Sequence, residues 1–460
     1  VTYRSRESAD RPAAQGSPGK TTGDLRMARV LWPLLLAAVA GLLPFTVFST
    51  YLVPIAQDAG SGVAAMGGLR GLGGLAALLT GTALAPLIDR VPRERAAAGA
   101  LCVLAAAALL GAAGGCAALA AFCLLVGAGT SVLNPALTAA AADRFDESDG
   151  RDGRDESGGG DGGSGAAGRA ATLVTATQSM TAMLAAPLVA LPAALWGWQG
   201  DLLAVAALSL LPAALLLKQR RGQGRSASGV RPAPRTGYFA SYAALAAVPG
   251  AIPLLAVSLL RTAVFMGYLA YLAAYYDARF QLGPAAFAFV WTLSGAAFFV
   301  SNLLTGRITN SAAPRVATER LLAAGLLAAL LTVTGFYFTH HLASALVLTA
   351  LHAASHAVVA ACVVSLLVRR CGDLRGAALS INAAGMSLGV FAGAALGGAG
   401  LGLAGYPGTA AVFGGLTAVA LCAALLVRRP RSGQPADAET ATDAATATEA
   451  ATPADGGGPR

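Results

Sequence analysis

Two histidines, His352 and His356, stand four residues apart in LTALHAASHAVVAACV, a stretch otherwise almost wholly apolar. On a helix that spacing puts both imidazoles on one face. There they could relay a proton near neutral pH, touch a ligand, or hydrogen-bond neighbouring helices together. The glutamate of a His-Glu-x-x-His zinc site is missing. Arg261, in AVSLLRTAVFMGYLAYLAAYY, is the second candidate. A charge inside such a run costs about 2.5–3.5 kcal/mol on insertion scales and marks a functional position by default. Its guanidinium suits an anionic solute or a lipid phosphate, and it also suits snorkelling from a helix end. Asn134, Gln178, Asn302 and Asn382 are uncharged polar residues in other apolar runs and could line the same cavity. Tyr268, Tyr271, Tyr275 and Tyr276 read as an interfacial aromatic belt, with Tyr268 the one that also suits the cavity. No nucleophile–base pair, metal triad or Walker A stretch occurs. The sequence therefore predicts no enzyme, no catalytic residue, no metal site and no cofactor.

The elements that must hold these residues are long apolar helices. Of 460 residues, 56% are hydrophobic and 12% charged, with a mean hydropathy of +0.63. A soluble domain carries about 25% charged residues. A helix crossing the hydrocarbon core needs about 20 apolar residues, and twelve runs of that kind can be traced. The first opens at Met27 as MARVLWPLLLAAVAGLLPF and continues past residue 50, too long for a signal peptide. Others lie near 66–88, 97–115, 117–142, 170–195, 201–217, 251–275, 284–306, 320–339, 342–367, 377–400 and 408–427. A soluble enzyme, a disordered chain and a disulfide-rich secreted module are excluded. The six cysteines have no paired spacing, and the net charge of +9 is not laid out as a nucleic-acid-binding stripe.

Charge in the connections gives an orientation. Lys218, Arg220, Arg221, Arg225, Arg231 and Arg235 crowd one gap without an acid, and Arg90/Arg93/Arg95, Arg307/Arg315/Arg320, Arg369/Arg370/Arg375 and Arg428/Arg429/Arg431 follow other even-numbered runs. The alternate connections hold almost no basic residue, Arg70 and Arg279 being exceptions placed near helix ends. The positive-inside rule then predicts both termini cytoplasmic. The expected organisation is a disordered N-terminus (1–28), a six-helix bundle (29–217) with a flexible acidic insert (144–168), a central basic loop (218–250), a second six-helix bundle (251–428) and a disordered tail (429–460). The insert has aspartates in alternation but lacks the terminal glutamate of a calcium loop. Val1 reads as a GTG start written literally, with Met27 as an alternative start.

The halves repeat. Arg169, Leu173 and Met180 correspond at constant offset to Arg375, Leu379 and Met386, and Gly197-Trp198 corresponds to Gly405-Tyr406. The loop after the second run, LAPLIDRVPRERAAAG, sets Asp89, Arg90, Arg93 and Arg95 against the loop pattern Gly-x-x-x-Asp-Arg/Lys-x-Gly-Arg-Arg/Lys, with Ala85 and Pro92 at its glycine places and Glu94 at its last basic place, one before Arg95. With its paired repeats, residues 29–428 resemble the major facilitator superfamily, and the bacterial drug or sugar efflux branch in particular. The resemblance implies an all-α polytopic fold of twelve transmembrane helices in two six-helix pseudo-repeats. It makes Asp89, Arg90, Arg93 and Arg95 a gating latch, and Gly127, Gly129, Pro135, Pro187, Gly389, Gly393 and Gly397 positions of helix packing or bending. The chain departs from the exporter pattern at Cys123, where an arginine is frequent, and in helix five, where Ala186-Pro187-Leu188-Val189-Ala190-Leu191 keeps only the proline of Gly-Pro-x-x-Gly-Gly.

The expectation is a secondary transporter in a bacterial inner membrane, working as a monomer by alternating access. It would export a drug-like or sugar-like solute in exchange for a proton. Uptake of a small metabolite, anionic or neutral, through Arg261 is the alternative, and a transport-inactive membrane sensor or scaffold the remote one. The expected partners are the small-molecule substrate, a coupling proton and the lipid bilayer, with no nucleic acid.

Overall fold

The structure is a computed structural model and describes residues 19–83, 91–152, 162–222, 243–309 and 316–427. Eleven helices carry the described chain: α1 (Gly19–Thr50), α2 (Leu52–Asp58), α3 (Val63–Ala83), α4 (Arg93–Ala112), α5 (Cys116–Asp152), α6 (Gly162–Gly222), α7 (Ala251–Phe280), α8 (Pro284–Thr309), α9 (Thr318–Phe338), α10 (Leu342–Cys371) and α11 (Arg375–Leu425). No strand occurs among the described residues. Ten of these helices are long and apolar enough to cross a membrane. Two are far too long for one crossing: the apolar part of α6 has 47 residues and α11 has 51. At 1.5 Å per residue each would reach about 70 Å, against about 30 Å of hydrocarbon.

Both long helices break at the predicted repeat glycine. Gly197 has φ 68° and ψ −175°, and Gly405 has φ 63° and ψ −155°. That region of backbone space is open essentially to glycine alone. In α11 the chain reverses there, so that Gly400 packs against the backbone of Gly408 and Gly397 against Phe413. Each of α6 and α11 thus supplies two crossings, which makes twelve among the described residues. Spans five and six are the legs of α6, and spans eleven and twelve the legs of α11. In α6 the residue after the break, Trp198, is buried, and its indole nitrogen donates to Asp58 Oδ2 at the end of α2 (2.7 Å).

Helix boundaries depart from expectation at two places. α1 begins at Gly19, inside the segment expected to be disordered. α5 runs on to Asp152 and α6 starts at Gly162, so the acidic insert is helical on both flanks. Residues 1–18, 153–161, 223–242 and 428–460 lie outside the described residues, and with them most of the expected central loop and the whole of the expected tail.

Candidate functional site

The two sets of six spans meet along two seams. In the first, α3 lies on the first leg of α11 with almost no side chain between them. A Cβ added to Gly71 would sit 3.0 Å from the Phe391 carbonyl oxygen, and one on Gly74 would sit 2.5 Å from that of Ser387. Small residues permit such backbone approach inside a membrane. Tyr271 of α7 wedges into the same place, its ring against Gly67 and Gly397 and its hydroxyl donating to Ala394 O (2.7 Å) and Ala64 O (3.3 Å). In the second seam, Gly295 of α8 abuts Met183 of α6, and Trp291 Nε1 donates to Ala182 O (3.0 Å).

Further along the same helix faces the packing ends. Gly81, two turns beyond Gly74, is exposed, with open space around it. Asn302, two turns beyond Gly295, is exposed as well. The halves therefore touch toward one end of the spans and part toward the other. Asn134 of α5 is exposed and Gln178 of α6 half-buried, and the Gln178 amide donates to Asn134 Oδ1 (3.0 Å). Asn382 is buried on α11, its amide nitrogen 3.5 Å from Met386 Sδ and its Oδ1 without a partner.

The charged and aromatic candidates lie inside the second half, on α7 and α10. His352 and His356 are fully buried on α10, their rings 4.4 Å apart. His352 Nδ1 is 3.1 Å from Thr332 Oγ1 of α9. His352 Nε2 and both nitrogens of His356 are buried without a hydrogen bond. Phe265 of α7 stacks on the His356 ring at 5.1 Å. Arg261, one turn earlier on α7, is 5% exposed and donates to Thr262 Oγ1 (3.1 Å) and weakly to His356 O (3.5 Å). Tyr268 stands 4.6 Å from the His352 ring, and its hydroxyl shares Thr349 Oγ1 with Tyr276, each at 2.9 Å. The structure thus gathers Arg261, Tyr268, His352 and His356 into one buried polar cluster.

Two sequence expectations need correction here. Tyr268, Tyr271, Tyr275 and Tyr276 do not form an interfacial belt: all four are at most 1% exposed and pack inside the protein. A period of three to four residues along α7 places them against α9, α10, α11 and α3 instead of lipid headgroups. Arg70 is no end residue: it is 7% exposed within α3, its Nη1 donating to Met266 O of the opposite half (3.0 Å), its guanidinium 5.5 Å from the Phe45 ring. The apolar run seemed to begin near residue 66, whereas the helix begins at Val63. The glycines flanking Arg70 were the available sign that something bulky docks there.

The residues expected to pack or bend helices stand as follows. Gly127 meets the backbone of Gly73, Gly129 meets Leu104, and Gly389 and Gly393 meet the α7 backbone at Leu259 and Ala263. Pro135 and Pro187 lie inside α5 and α6. Of the expected latch, Asp89 and Arg90 lie outside the described residues. Arg95 is exposed, and Arg93 pairs with Asp143 of α5 (2.5 Å). In the second half Arg370 of α10 pairs with Glu319 of α9 (2.9 Å). Both pairs tie neighbouring spans of one half together.

Twelve apolar crossings in two repeated halves, joined at one end and parted at the other, define a polytopic helical transporter architecture. The sequence pattern of the Major Facilitator Superfamily matches residues 2–151, 34–340 and 312–453, and the chain belongs to that family. No curated protein matches it. Among solved structures it is similar in fold to a bacterial homolog of the human lysosomal transporter Spinster in an inward-facing, unoccupied conformation (14% identity, 87% of this chain and 94% of that one, TM-score 0.62). It is also similar to a peptide transporter of the POT type in complex with alafosfalin (16% identity, 87% and 93%, TM-score 0.69) and to the nucleoside transporter NupG (12% identity, 86% and 100%, TM-score 0.68).

Proposed function

We propose that this chain moves a small organic solute across a bacterial cytoplasmic membrane by alternating access, the two six-helix halves rocking about the cleft between them. The observation that carries the proposal is the pair of seams that close one end while Gly81 and Asn302 stay open toward the other. With both termini cytoplasmic, as the basic loops suggest, the parted end faces the cytoplasm. The sequence resemblance favours proton-coupled export of drug-like or sugar-like compounds, with Asp89 and its arginines gating the cytoplasmic end. In this reading Asn134, Gln178 and Asn302 offer uncharged hydrogen-bonding groups to a solute entering between the halves.

A second reading, uptake of a small anionic metabolite, is favoured by Arg261. Its guanidinium is buried with a hydroxyl and a distant carbonyl as partners, and no carboxylate among the described residues pairs with it. A buried cation without a counter-ion is costly, and a solute carboxylate or phosphate would relieve that cost. In either reading the His352–His356 pair is the candidate proton carrier. The other titratable groups facing it are Arg261 and Tyr268.

Thermal stability of the purified protein against amphiphilic drugs, sugars, amino acids and organic anions separates the two readings. A ligand that binds only the folded state raises apparent stability by mass action. Stabilisation by lipophilic drugs or sugars that survives in Arg261→Ala is the result expected for the exporter. Stabilisation confined to small anions and lost in Arg261→Ala would replace it with the uptake reading. No vectorial movement of any stabilising solute in proteoliposomes would overturn both.

A further inference from the structure

We propose that Arg70 and Tyr271 form the latch that holds the closed end of the molecule shut, a positioning role in the transport cycle. The proposal rests on the alternating-access reading.

Arg70 is the buried cation that reaches across between the halves: it belongs to α3, and its Nη1 hydrogen bond goes to the Met266 carbonyl of α7. That carbonyl sits inside a continuous helix, so Arg70 shares an acceptor already used by the α7 ladder. Its Nε is buried without a partner, and on its own side it has the Phe45 ring. A guanidinium with these partners is held well enough to stay, and loosely enough to let go. The bond is charge-assisted from one side only; a carboxylate partner would add a second charge and make opening slower. Tyr271 completes the device from the other side. It is rooted in α7, its hydroxyl reaches both Ala64 of α3 and Ala394 of α11, and its ring fills a notch made by Gly67, Gly397 and Gly398. Opening this end must therefore break the Arg70 bond, break the Tyr271–Ala64 bond and lift the ring off Gly67. Each of these belongs to the contact between halves, and the Tyr271–Ala394 bond keeps the ring seated on its own half afterwards.

The same corner supplies its own reporter. A Cβ on Gly402 would lie 3.8 Å from Ala64 Cβ, which matches the mean separation of about 3.8 Å across a disulfide. The test is the rate of disulfide formation in Ala64→Cys/Gly402→Cys, in a background lacking the six native cysteines. It is read on non-reducing gels after protease cleavage within residues 223–242, so that only cross-linked halves stay together. Adding Arg70→Gln should slow cross-linking at least about tenfold, the order expected for losing a charge-assisted hydrogen bond. Arg70→Lys, which keeps the charge and a donor, should stay within about twofold of the parent by the same reasoning. Tyr271→Phe, which keeps the ring and removes the hydroxyl, should slow it by a smaller factor.

Parent rates in both Arg70→Gln and Tyr271→Phe would overturn the latch, as would equal slowing by Lys and Gln at position 70. If Arg70→Gln does not yield monodisperse protein, Tyr271→Phe decides alone. Alternating access is judged separately, by whether oxidising the Ala64→Cys/Gly402→Cys parent blocks solute movement and reduction restores it. A latch that fails while this lock succeeds leaves the transport reading intact.

Discussion

Arg261 and the histidine pair occupy a part of the molecule where a polar atom without a partner is expensive. Removing one member of a buried polar set while leaving the rest costs about 1–3 kcal/mol in general, so substitutions here separate structural from functional roles only when both stability and transport are read. Replacing His356 by Gln keeps a polar side chain of similar reach. Because neither His356 nitrogen has a hydrogen-bond partner and the ring stacks on Phe265, His356→Gln buries an unpartnered amide and is expected to destabilise by about 1–3 kcal/mol. If the pair carries the coupling proton, the same change flattens the pH dependence of transport. Transport that keeps its wild-type pH profile in His352→Gln/His356→Gln would remove the relay. At the far end Arg93 and Asp143 form an ion pair whose side chains are 39% and 43% exposed. Such pairs contribute about 0–1 kcal/mol, and Asp143→Asn is expected to leave the melting temperature almost unmoved.

At the scale of helices, most of the architecture is legible in the sequence because it depends on length and apolarity, which a run of residues carries by itself. The repeat is legible too. Gly197 and Gly405 fall at equivalent places in the two halves, and both take the positive-φ conformation that only glycine adopts without strain. Gly405→Ala and Gly197→Ala should each destabilise by about 1–3 kcal/mol, measurable as a lower midpoint of thermal unfolding in detergent. Equal stability of both variants would mean that the turn does not need these angles. What the sequence hides is which face of each helix meets which neighbour. An all-apolar helix has little amphipathic signal, so the inward face of α7 could not be told from its lipid face, and its tyrosines looked like a headgroup belt. Thr332 and Thr349, which meet His352 and the tyrosines, were invisible for the same reason: a threonine in an alanine-rich run shows its partner only after packing. Arg70 was missed because the apolar window placed it one turn too near the helix start.

At the scale of the whole molecule the two seams differ in kind. The α3–α11 seam is backbone against backbone through glycines and should tolerate no added volume. Gly74→Leu would force the Ser387 and Phe391 backbone away, at a cost of about 1–3 kcal/mol, and should favour the state in which this end is open. The α6–α8 seam is held by the Trp291 indole on Ala182 O, and Trp291→Phe removes one hydrogen bond without changing the helix contact much. In the proposed alternating-access cycle both seams part when this end of the cleft opens, and the other end closes as they do. That coupling is the central claim, and pairs of spin labels at the two ends test it most directly. One pair, at Ala64 and Gly402, straddles the closed end, and the other, at Gly81 and Gly376, straddles the open end. The account predicts two distances for each pair, with populations that shift in opposite directions when pH or a stabilising solute is varied. A single unchanging distance at both ends across those conditions would contradict it.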